Sequence, residues 1–77
     1  MSIKELDTVV LAQDIAEHGL ERGDIGVVVH VYKNGVAYEV EFMTGAGGTI
    51  AVLTLEAKEV RPIRKQEILH AREMVSA

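Results

Sequence analysis

The sequence predicts a mainly β domain, a small five-stranded barrel over residues 1–63, followed by a C-terminal helix within residues 64–77. Three observations carry this. The run Ile25–Tyr32 (IGVVVHVY) is dense in β-branched residues, which suit a pleated, packed surface better than a helix. The run Ala37–Phe42 alternates strictly, with Tyr38, Val40 and Phe42 on one face and Glu39 and Glu41 on the other. Asn34-Gly35 lies between the two runs, and both residues accept the positive φ that a tight hairpin requires.

The first strand is expected over Asp7–Ala12, with Val9 and Leu11 sharing a face. Gln13–Leu20 is too short for an independent helix and reads as a loop holding at most one helical turn, with Ile15, Ala16 and Leu20 folded over one end of the barrel. The turn at Gly23-Asp24 leads into the second strand, whose register the pattern leaves open because Val28 is as apolar as Val27 and Val29. Gly26, inside that strand, marks a bulge or a close backbone approach. Gly45–Gly48 reads as a hairpin loop, since it lacks the lysine and the following helix of a phosphate-binding loop. Thr49–Leu55 is the fourth strand and is apolar on both faces. Glu56–Val60 suits a single 3₁₀ turn, and Arg61–Ile63 the last short strand, with Pro62 at an edge because it lacks an N–H.

Lys65–Val75 is rich in helix-forming residues. Ile68, Ala71 and Val75 would share one face of that helix, with Leu69 beside them. A stripe so narrow needs a docking surface, so Ile68, Leu69 and Val75 are candidates for self-association into a homo-oligomer.

Seventy-seven residues without cysteine form one domain held by packing alone. No apolar run approaches the roughly 20 residues that cross a bilayer, and the start MSIKELD does not resemble a signal peptide, so a cytoplasmic location is expected. Residues 1–63 carry ten acidic side chains against five basic ones, and the remainder carries three basic against two acidic. An acidic body lacks the basic footprint of a nucleic-acid binder and favours a protein partner.

His18, His30 and His70 fall in three different elements without metal-ligand spacing, and no metal or other cofactor is expected. Asp14, Glu17, Glu21 and Asp24 crowd the segment between the first two strands, where solvation of a loop is the expected role. No hydroxyl lies in a nucleophile-elbow context, so no catalytic residue is assigned. Tyr32 and Tyr38 flank the Asn34-Gly35 turn as a candidate aromatic platform for peptide binding, and Glu39 and Glu41 add an acidic patch that invites a basic partner.

The segments Leu6–Leu11, Gly19-Leu20, Gly23–Val29, Ala37–Phe42 and Leu55–Pro62, in that order, resemble a family of small bacterial proteins of unknown function over residues 4–63. The resemblance implies an SH3-like barrel and no catalytic residue. The Gly23-Asp24 turn before Ile25–Val28 is more distantly similar to the opening turn of KOW modules and of the nitrile hydratase β-subunit barrel, although basic residues do not surround it. The expected function is a non-catalytic protein-binding or assembly module, an accessory or antitoxin-like partner. The alternatives are a KOW-like nucleic-acid-binding module and a small enzyme using the acidic loop.

Overall fold

The computed structural model describes residues 2–74. Five antiparallel strands make one sheet: β1 (Thr8–Leu11), β2 (Ile25–Tyr32), β3 (Ala37–Met43), β4 (Thr49–Glu56) and β5 (Val60–Pro62), in the order β4-β3-β2-β1-β5. Short 3₁₀ turns at Ala16–His18 and Ala57–Glu59 punctuate the connections.

The sheet is open, which corrects the barrel expectation and, with it, the SH3-like fold implied by the KOW and nitrile hydratase resemblances. β4 pairs only with β3 and β5 only with β1, so the two outer strands never join. Closure would ask three residues of β5 to bond on both sides, and one of them is Pro62, which has no N–H to donate. The turn before β5 is held instead by a reciprocal cap, with the Glu56 and Glu59 side chains each bonded to the other's backbone N–H.

One face of the sheet carries the core. Val9 and Leu11 of β1, Val28 of β2, Tyr38, Val40 and Phe42 of β3, Leu55 of β4 and Val60 of β5 are all buried and form one cluster with Leu20. Leu20 reaches it because the β1–β2 connection folds over the sheet end, where Ile15 and Leu20 form an antiparallel bridge. Gly26 belongs to this face too. A Cβ there would lie 2.6 Å from Val40 Cγ1 and 2.9 Å from Phe42 Cε1, so only glycine lets β2 approach β3 at that point.

The register of β2, open in the sequence, is resolved by a bulge. Val28 pairs with Val40 and His30 with Glu39, which leaves Val29 as the extra residue. Val28 therefore faces the core before the bulge, and Val31 packs against it afterwards. The loop to β3 is longer than a two-residue turn: Tyr32 pairs with Ala37 across Lys33–Val36, with φ of 40°, 60° and 94° at Lys33, Asn34 and Gly35.

Among the described residues the expected C-terminal helix is absent. Residues 63–74 contain no helix; they run as an irregular tail with one turn at Lys65-Gln66. Self-association through a helix face carrying Ile68 and Leu69 is overturned with it, and Val75 lies outside the described residues. Ile68 and Leu69 are 88% and 70% exposed. Ten or so residues make a marginal helix without tertiary packing, and here ion pairs hold the tail in another path. Arg61 donates to both Glu67 carboxylate oxygens at 2.8 and 2.6 Å, and Glu67 also accepts the Arg64 N–H at 2.7 Å. These bonds hold the Glu67 carboxyl down at about 2, with the Arg61 guanidinium as the main cause.

Candidate functional site

Alternation places a second set of side chains on the reverse face, and the register orders them in rows across three strands. Val27, Glu41 and Val52 form one row, His30, Glu39 and Thr54 a second, and Tyr32, Ala37 and Glu56 a third. The tail does not cover all of this face. Its start lies beside β5, where Arg61 meets Glu67, and His70–Met74 line a groove at the start of β2 and the end of β3, with Ile25, Val27, Phe42 and Met43 among its walls. Val10 is buried although it points away from Val9 and Leu11. The β2–β4 half stays open: Tyr32 is 39% and Val52 47% exposed.

Hydroxyl–carboxylate bonds fix the side chains of the open half. The Glu39 Oε1 accepts the Thr54 hydroxyl at 2.6 Å and the Tyr32 hydroxyl at 3.1 Å. Glu41 accepts the Thr49 hydroxyl at 2.7 Å. The bond to Glu39 raises the Tyr32 phenol above its ordinary pKa, because ionisation would set two anions side by side. The His30 ring meets the Tyr32 ring edge-on at 4.5 Å between centroids, and its Nδ1 lies 3.8 Å from Glu5. The result is a surface of a phenol ring against an imidazole, with exposed aliphatic groups and carboxylates.

Of the residues singled out in the sequence, Tyr32, Glu39 and Glu41 come together here. Tyr38 does not. It faces the core and is buried, so the two tyrosines lie on opposite sides of the sheet and make no shared platform. The pairing of Tyr32 with Ala37 explains this, since the next residue of a strand points the other way. Thr54, Thr49 and Val52 join the surface without having been singled out, as does His30, considered in the sequence only as a metal ligand. Only the pairing of β3 with β4 brings Thr54 and Thr49 to the glutamates, and no local pattern announces it.

The acidic β1–β2 connection is structural where its bonds are visible. Asp14 accepts the Arg22 N–H at 2.8 Å, and Asp24 accepts the Glu21 N–H at 2.8 Å and the Arg72 guanidinium. Among the described residues no group of three His, Asp or Glu side chains is placed to hold a metal ion, and no buried side-chain polar atom lacks a hydrogen-bond partner. No helix among the described residues is long and apolar enough to cross a membrane.

Comparison with curated proteins and with solved structures returns no match. A family model does match: Domain of unknown function (DUF4926), over residues 5–62, which takes in all five strands and stops before the tail. The chain belongs to the DUF4926 family.

Proposed function

We propose that the chain is a non-catalytic protein-binding module whose contact surface is the open half of the reverse sheet face, and that it works in the cytoplasm. The observation that supports this is the Tyr32–Glu39–Thr54 cluster with Glu41 beside it, hydrogen-bonded in place, the two glutamates half-buried and Tyr32 and the neighbouring Val52 exposed. A surface whose rotamers are set before contact loses little entropy on binding. Aromatic rings are enriched at protein interfaces, and an acidic rim selects a partner of opposite charge. The partner is a protein with a basic, partly apolar patch. A fold held without disulfides needs no oxidising compartment.

Affinity capture from the native cell with the wild type, Tyr32→Ala and Glu41→Lys tests this. Both substituted residues lie off the core, so stability should change by about 0.5 kcal/mol or less. The expected result is one protein recovered stoichiometrically by the wild type, resistant to nuclease and lost with both variants. Recovery of the chain alone, equal recovery by the variants, or loss of the partner on nuclease treatment would each reject the reading.

A further inference from the structure

Asp24 stands at the head of β2, in a turn built without the tail. The Leu11 N–H donates to the Asp24 carbonyl at 2.9 Å, the Gly23 N–H to the Leu11 carbonyl at 2.9 Å and the Asp24 N–H to the Glu21 carbonyl at 2.9 Å. The Glu21 N–H binds the Asp24 carboxylate from the same side. A half-buried acidic group is thereby held in a fixed direction.

Arg72 fills it. Its Nε donates to Asp24 Oδ1 at 2.9 Å and its Nη2 to Oδ2 at 2.5 Å. The same Nη2 donates to the Gly19 carbonyl at 2.9 Å, and Nη1 lies 3.7 Å from Glu21. This paired geometry suits the planar guanidinium and not the single ammonium of lysine. Beside it runs a groove of about 570 Å³, walled on one side by Leu20, Ile25, Val27, Phe42 and Ile50 and on the other by the tail's own His70–Met74.

The rest of the tail is lightly held. Among the described residues its backbone makes one hydrogen bond to backbone, from the Glu67 N–H to the Arg64 carbonyl. Ile68 and Leu69 are left in solvent. Its attachments are Arg61–Glu67, the Arg72 clasp and the Met74 methyl, which lies 3.3 Å from where a Gly19 Cβ would stand. Asp24, Glu21 and Gly19 lie inside the family match, and Arg72 lies outside it.

We propose that Asp24, Glu21 and the Gly19 carbonyl form an arginine-recognition site for an extended, arginine-bearing segment of a partner protein, and that this chain's own residues 64–74 occupy the site in cis. The tail shows the chemistry of the ligand: an arginine in the clasp and, two residues on, the Met74 methyl beside Gly19. Charge agrees, because the site belongs to the acidic body and its occupant to the basic end of the chain. This goes beyond the reading of the open face. The two surfaces differ, and either can fail alone.

The probe is a fluorescent peptide of residues 64–74 added to the full-length chain. A tethered occupant competes at an effective concentration of about millimolar, so Arg72→Ala should bind the peptide at least about tenfold more tightly than the wild type. The same peptide carrying Arg72→Ala or Arg72→Lys should lose about tenfold or more in affinity for that variant. In the unmodified chain, peptide at about millimolar concentration should shift the Met74 methyl resonance as the tail leaves. Equal affinity of wild type and variant, equal affinity of the three peptides, or no binding to the variant overturns the proposal. If Arg72→Ala does not fold, the methyl titration decides, and an unmoved methyl overturns it. Dimerisation of the wild type in sedimentation, lost with Arg72→Ala, also overturns it by making a second copy the occupant.

Discussion

Glu41 and Phe42 are neighbours in the chain and face opposite worlds. Phe42 is buried among Val28, Val40 and Leu20 in the core cluster, where packing alone holds it. Glu41 lies on the reverse face between Val27 and Val52, held by a hydroxyl from Thr49. Burial on the first face provides stability. On the second, polar bonds order side chains that remain accessible. A domain this small has one apolar layer to spend on folding, and what the other face displays is free to serve recognition.

Three measurements sharpen or break that contrast. Phe42→Ala should have the largest effect. Removing the only phenylalanine from a closed core costs about 3–5 kcal/mol, a large part of the total stability of a domain of this size. Denaturant melts should show it, and a loss near zero would mean that the core face does not carry the fold. Gly26→Ala comes next, at about 1–3 kcal/mol, because the new methyl collides with Val40, Phe42 and the Glu41 carbonyl. A neutral outcome would show that β2 can move away from β3 without penalty.

The smallest effect belongs to the reverse face and its tail. The Glu67 carboxyl lies well below its ordinary value of 4.5, at about 2, and Asp24 is lowered as well, since its bonds from Arg72 and Glu21 outweigh the opposing effect of burial. A depressed carboxyl stabilises the docked form above its ordinary pKa, and that contribution disappears as pH falls through the folded value. Acid titration from pH 4.5 toward 2 should therefore release the tail while the ladder of β1–β4 keeps its amide protection. Simultaneous loss of both in hydrogen exchange would show that tail and sheet are one cooperative unit.

The strands were legible where one face is wet: Glu39 and Glu41 against Tyr38, Val40 and Phe42 admit a single register. β2 was not legible in register, because three consecutive valines suit either face until a bulge assigns them. Barrel closure was misread for a related reason. Whether the outer strands meet depends on how β4 and β5 lie in space, and local alternation is silent on that. The helix was misread because propensity ignores Glu67 and Arg72, whose partners Arg61 and Asp24 are 6 and 48 residues away. Of the candidate surface, the glutamates and Tyr32 were visible as outward residues, whereas Tyr38 was placed with them by nearness in sequence.

Val29 makes no pair of its own in the β2–β3 register. A chain shortened by that one position would keep every other inward and outward assignment, because His30 would still meet Glu39 and Val31 would still meet Tyr38. It would give up the local coiling that an unpaired residue imposes on a ribbon. Leu55 and Val60, on the two outer strands and joined by the Ala57–Glu59 turn, belong to one cluster that spans the curved sheet. In homologues, then, the count of residues between Gly26 and Tyr32 should matter more to shape than which aliphatic stands at each place.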